Sequence, residues 1–159
     1  NVTKHAEDIC LNFPTDKPEP QEMDALFAEA LGKSPIEILR GTDDFLAIFE
    51  TEQQIQTMNP DFTKLAKINS RGVVISAPGN DVDFVSRCFF PQTGVDEDPV
   101  TGSAHTMLIP YWAKQLDKIE FKAHQLSARG GTLDCKLINN RVLISGKSVI
   151  YFEGMISII

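Results

Sequence analysis

The chain has 159 residues, 42% of them apolar and 23% charged, and a formal net charge of −7; this is one globular domain's length, enough to bury a core. Its Lys and Arg are scattered rather than interleaved with aromatics, which excludes nucleic acid and an anionic membrane surface as partners. Apolar runs stop short of a membrane span, and the N-terminus lacks a signal-peptide pattern.

In chain order, Asp8 to Phe13 reads as a strand stopped by Pro14, and 16–20 as a polar connector. From Gln21, Met23, Leu26, Phe27, Ala30 and Leu31 recur at helical spacing, with Gly32 as the stop. Ile36 to Arg40 and Phe45 to Phe49 form two strands around a turn at 41–44. Thr51-Glu52-Gln53-Gln54 has capping-box spacing and predicts a short helix to about Met58. Asn59-Pro60 resets the chain for another, with Pro60 at its first position and Phe62, Leu65 and Ala66 on one face.

Val73 to Ala77 is an apolar strand, and Asp83 to Phe90 is the next. The latter sends Phe84, Ser86 and Cys88 to one side and Val85, Arg87 and Phe89 to the other. A helix from about Thr101 to Leu116 is apolar nearly all round, so it is expected to be buried on every face. Pro110 inside it removes one backbone hydrogen bond and bends it. Ile119 to His124 follows as a strand, and Gly130-Gly131 is a turn or a close approach. A hairpin turns at Asn139-Asn140, in a register that sets Leu137 opposite Val142 and Cys135 opposite Ile144. Val149 to Ile158 reads as a last strand, interrupted at Gly154.

The expected fold class is therefore α+β. A strongly curved, barrel-like mixed sheet wraps around the buried helix, in a single domain over 1–159 without repeat or linker. Cys10, Cys88 and Cys135 are widely spaced, odd in number and set in apolar strand-like stretches. They read as buried free thiols of a reducing compartment, the cytoplasm, rather than disulfides or nucleophiles. His5, His105 and His124 lack metal-ligand spacing with any Cys or acid, so no metal is expected.

The chemistry-bearing stretch is Gly94-Val95-Asp96-Glu97-Asp98-Pro99-Val100-Thr101-Gly102-Ser103-Ala104-His105. Three acids on a turn lead to a helix with Thr101 as N-cap and small residues after it. Its first-turn N–H groups are bare, an anion site that needs no cationic side chain. With Asp98 beside that site, the ligand called for carries both a carboxylate and an amine or hydroxyl. Asp98 holds or relays a proton, and Thr101, Gly102, Ser103 and Ala104 bind the carboxylate. The same residues also make an ordinary helix start, in which acids complement the dipole. A phosphate dianion fits less well, because the three acids repel it. His105, one turn into the helix, either reaches the ligand or packs as a core imidazole. Glu97 is a substitute base or a charge favouring the helix start, and Arg129 pairs with the acidic loop or stands exposed.

Asp96 to His105, Tyr111-Trp112-Ala113 and Gln125-Leu126-Ser127-Ala128-Arg129-Gly130-Gly131 together resemble the second half of the phenazine-biosynthesis PhzF-like isomerase family. Phe84-Val85-Ser86-Arg87 with Phe90-Pro91, and the early Leu11-Asn12-Phe13-Pro14, fit the same pattern across essentially the whole chain. The resemblance implies one half of a diaminopimelate-epimerase-like fold, with the active site in the cleft between two pseudo-symmetric halves. It implies cofactor-free proton transfer at carbon, on an amino-acid-like or dihydro-3-hydroxyanthranilate-like substrate, in a protein that is often a homodimer. Asp98 matches the family's acid beside the substrate, and Gly102 with Ser103 its helix-start groups. Related epimerases carry a catalytic Cys where Ser103 falls; a hydroxyl is the poorer base by several pKa units, so Ser103 binds rather than abstracts protons. The family's Glu base belongs to the first half, which nothing here matches. The chain is thus expected to be a C-terminal half, inactive alone, whose N-terminal half is absent. A different function class remains beside this one, a protein-interaction module that keeps the fold and has lost catalysis.

Overall fold

The computed structural model describes residues 1–5, 8–149 and 151–157. In chain order it contains β1 (Val2–His5), β2 (Asp8–Pro14), β3 (Glu19–Pro20), α1 (Ala25–Leu31), β4 (Glu37–Arg40), β5 (Asp44–Ile48), α2 (Glu52–Gln56), α3 (Phe62–Leu65), β6 (Gly72–Pro78), β7 (Phe84–Phe89), α4 (Gly102–Leu116), β8 (Glu120–Gln125), β9 (Gly131–Ile138) and β10 (Arg141–Lys147). Among the described residues the strands form one mixed sheet in the order β1-β2-β10-β9-β8-β7-β6-β5-β4-β3. Only β5–β6 and β7–β8 pair in parallel there. A parallel pair needs a crossover; α2 and α3 make the first, and α4 makes the second.

Side-chain alternation sends these crossovers to opposite faces. Phe84 and Cys88 of β7 and Val74 of β6 share a core with Ala104, Met107, Leu108 and Trp112 of α4. Val85 and Phe89 of β7 and Val73 and Ile75 of β6 share the other with Phe27 of α1, Ile55 of α2 and Leu65 of α3. The split along β7 is the one its sequence predicts, and so is the β9–β10 register, Leu137 to Val142 and Cys135 to Ile144.

α4 touches both β2 and β5, which stand six places apart in the sheet. At about 4.8 Å per strand a flat sheet would hold them roughly 29 Å apart, more than the length of α4, about 22 Å. The sheet therefore curls over α4. It does not close, for β1 and β3 are its two edges, and the barrel-like expectation is corrected to an open curl. Nor is α4 buried on every face: Ser103 and Lys114 are exposed, and Thr106, Pro110 and Ala113 between them are half-buried. Their spacing of three and four residues makes one open stripe.

Pro110 shows its effect on that stripe. Lacking an N–H, it leaves the Thr106 carbonyl without its in-helix donor, and the Asp16 N–H donates there instead at 3.0 Å. The connector after β2 is thereby stitched to α4.

Smaller departures have local causes. Asp24 caps α1 through Leu26 N–H, so the helix begins after Met23, which is half exposed. Asp61 caps α3, which puts Pro60 before the helix rather than in it. The connector 16–20 ends in the two-residue strand β3, and β1 has no counterpart in the sequence reading. The last strand expected from Val149 does not form: Val149 and residues 151–157 carry no regular structure, and Tyr151, Phe152, Met155 and Ile156 are exposed. Residues 150 and 158 lie outside the described residues.

Candidate active site

The acidic loop leaves β7 and returns to its end, where the Asp98 N–H donates to the Cys88 carbonyl at 3.0 Å. The segment that follows β8 cradles it from the other side. Ser127 Oγ donates to the Pro99 carbonyl at 2.7 Å. Gly131 lies so close to Val100 that an added Cβ would sit 2.5 Å from its Cγ2. Gly130 turns the chain at φ +70°. The two glycines thus do the two separate jobs that a Gly-Gly pair allows, one a turn and the other a close approach.

At the head of α4, Thr101 has the extended backbone of an N-cap, φ −111° and ψ 101°, but its side chain caps nothing. Its hydroxyl donates instead to Asp98 Oδ2. The first-turn N–H groups therefore take no side-chain partner at the cap, with Gly102 half-buried, Ser103 exposed and Ala104 buried. Asp98 is half-buried beside them.

A cation does reach this point, although the anion-site reading did not call for one. Arg71 Nη2 donates to Ser103 Oγ at 3.3 Å. Its other contacts grip buried Asp44, with Nε 2.9 Å from Oδ1, and that hydrogen bond holds the guanidinium charged. Arg71 directly precedes β6, and no local pattern marks it. An open cavity of about 940 Å³ lies beside Val100 and Gly102, bounded also by Leu11, Ile144, Gly131 and Arg129. Asp98 and Ser103 are outside its lining.

The remaining candidates fall elsewhere. His105 is fully buried, its Nδ1–H donating to the Thr101 carbonyl at 2.8 Å and its ring near Phe84. Burial drives its pKa down to about 4, so the imidazole is neutral, and it stands in the core rather than at the open helix end. Glu97 is locked in a two-point ion pair with Arg87, at 2.7 and 3.0 Å, and Arg87 also donates to the Ile55 and Met58 carbonyls. That pairing occupies Glu97, and of the two readings of Arg129 the exposed one holds, for it forms no ion pair among the described residues. Burial raises the thiol of Cys88 and pushes that of Cys135 up to about 12, so neither is a ready nucleophile. Among the described residues no three His, Cys, Asp or Glu side chains group to hold a metal, and no helix is long and apolar enough to cross a membrane.

One residue that sequence reasoning gave no role is Gln125, fully buried, which bonds to both Asp98 and Thr101. A signal for it exists: along β8 it falls in phase with buried Phe121 and Ala123, an amide where the pattern asks for an apolar side chain.

Over residues 2–154 the chain matches the family model of phenazine biosynthesis-like proteins, PhzC-PhzF. The chain belongs to the phenazine biosynthesis-like protein family. Among relatives in the family, it is 45% identical to an uncharacterised isomerase of Pseudomonas aeruginosa, aligned over 98% of this chain and 59% of that protein. It is 35% identical to the mouse phenazine biosynthesis-like domain-containing protein 2, over 97% and 60%. The crystal structure of a PhzF family protein from Enterococcus faecalis superposes with a TM-score of 0.91 at 40% identity, covering 95% of this chain and 58% of that one. A phenazine biosynthesis PhzC/PhzF protein from Clostridium difficile gives 0.88 at 37% identity, over 99% and 61%. The chain thus spans about three-fifths of the length of the relatives it matches.

Proposed function

We propose that this chain forms one side of an active site for cofactor-free proton transfer at carbon, the work of an isomerase or epimerase in the cytoplasm. The substrate is small and bears a carboxylate, amino-acid-like or resembling a dihydro-3-hydroxyanthranilate. It binds in the cleft against an N-terminal half that supplies the main acid/base, and the whole protein is a homodimer. This domain alone is inactive. Asp98 holds or relays a proton at the substrate's amine or hydroxyl, and Thr101, Gly102, Ser103 and Ala104 form the carboxylate-binding helix start. His105, buried, keeps the first turn in place.

One observation carries the reading: Thr101 turns its hydroxyl onto Asp98 and leaves the first turn of α4 uncapped beside that carboxylate. The isomerase names of the Pseudomonas aeruginosa relatives support it. The test uses the intact protein with all that its reading frame encodes. Deuterium uptake from D2O into carbon of dihydro-3-hydroxyanthranilate and of a panel of amino acids is followed by NMR. Asp98→Asn is expected to slow exchange by about 100-fold or more, and Ser103→Ala to raise KM by about tenfold, a carboxylate hydrogen bond's worth. Unchanged rates in both variants would remove the site from these residues.

A further inference from the structure

Gln125 ends β8 with its side chain wholly inside the protein. Its Oε1 accepts from the Thr101 N–H at 2.8 Å. Its Nε2 donates to the Asp98 carbonyl at 2.8 Å and to Thr101 Oγ1 at 3.1 Å. The two backbone partners decide which way the amide faces. A flipped amide would set donor against donor at the Thr101 N–H and acceptor against acceptor at the Asp98 carbonyl.

A second consequence follows at the hydroxyl. Thr101 Oγ1 has one proton and two acceptor sites; Nε2 donates to one of the latter, and the proton goes to Asp98 Oδ2, a carboxylate oxygen that can only accept. An unconstrained Thr at an N-cap would instead accept from a first-turn N–H. The amide at 125, bonded to both the Thr101 N–H and Oγ1, holds that hydroxyl beside Asp98 and off the first turn. It also holds Asp98 by its carbonyl, while Oδ1 takes no hydrogen bond among the described residues.

We infer that Gln125 is a positioning residue: by holding the Thr101 hydroxyl and the Asp98 carbonyl together it fixes the Asp98 carboxylate with Oδ2 occupied and Oδ1 open to a ligand. This rests on the reading of Asp98 given above.

Two variants of the intact protein test it. Gln125→Glu keeps the shape and the acceptor for the Thr101 N–H but loses the amide's two N–H donors, so Thr101 Oγ1 and the Asp98 carbonyl can no longer both be held. Gln125→Leu removes both. In a crystal structure of Gln125→Leu, Thr101 Oγ1 is expected to leave Asp98 and cap a first-turn N–H. A hydroxyl still on Asp98 would overturn the inference whatever the activity. In the exchange assay with dihydro-3-hydroxyanthranilate, Gln125→Glu is expected to lower kcat by about 100-fold, the scale of a misplaced catalytic group, with KM changed by less than about threefold. Adding Thr101→Val to Gln125→Glu is expected to cause no further loss, because both act through one hydroxyl, and Thr101→Ser should keep near-native turnover. Independent, multiplying losses would show that Gln125 only supports the fold. If Asp98→Asn is inactive while Gln125→Glu is not, this inference fails and the proposed function stands. If Asp98→Asn is fully active, it is the proposed function that fails.

Discussion

Among the described residues, the three α-helices on the outer face and the one on the inner face begin in opposite ways. Asp24, Thr51 and Asp61 each cap their helix, Thr51 through a complete capping box with Gln54. These helices are only four to seven residues long, too short to stand without tertiary support. α4 is 15 residues long, starts with a Thr and leaves it uncapped. Its stability comes from burial, with Ala104, Met107, Leu108, Ile109 and Trp112 all in the core. A helix held along its length can forgo its cap, and the freed groups then become available for chemistry.

The strongest challenge to that contrast is Trp112→Ala. The indole stacks on Phe84 at 5.6 Å and donates to Ser76 Oγ at 3.0 Å. Its removal is expected to cost about 3–5 kcal/mol, read as a shift in the urea midpoint at unchanged slope. A loss under about 1 kcal/mol would show that α4 does not depend on burial.

His105 gives the next effect, through pH. Its folded pKa of about 4 lies below its ordinary 6.5, so the unfolded chain binds the extra proton first. Its contribution is complete above about pH 6.5, declines as pH falls, and is lost below about pH 4, amounting to about 3 kcal/mol. Denaturant titrations between pH 7.5 and 4.5 should therefore fall more steeply for the native protein than for His105→Leu. Parallel curves would place the imidazole outside the inner core.

The smallest expected change belongs to the outer face. Thr51→Ala breaks the capping box and should lower stability by about 1 kcal/mol, with deuterium exchange unaltered. A loss of exchange in that variant would mean that the two faces are coupled and that the contrast between their helix starts has no functional meaning.

Much of the layering is legible in the chain. Alternation along Phe84 to Phe89 assigns each side chain its face, and the Thr51 and Gln54 spacing delivers a real capping box, because both patterns are settled by neighbours within a few residues. The strand expected at 149–158 failed for the complementary reason: its apolar residues form a strand only with a partner, and Val149 and residues 151–157 pair with nothing among the described residues. The barrel likewise depended on whether β1 meets β3, which no local pattern encodes.

At the site the division is similar. The acidic loop, the helix that follows it and the turn at Gly130-Gly131 are local features, so residue types and spacing were enough to put Asp98 and Thr101 to Ala104 at one helix start, though not to choose between the two readings of His105, which the fold buries. Which groups they touch was decided in three dimensions. Arg71 reaches Ser103 across 32 positions, Gln125 reaches Asp98 across 27, and Arg87 rather than Arg129 takes Glu97. Hydrogen-bond polarity depends on every partner at once. A sequence lists the donors and acceptors, but only the curl of the sheet over α4 brings β8 to the acidic loop and turns a capping residue into a donor for its own aspartate.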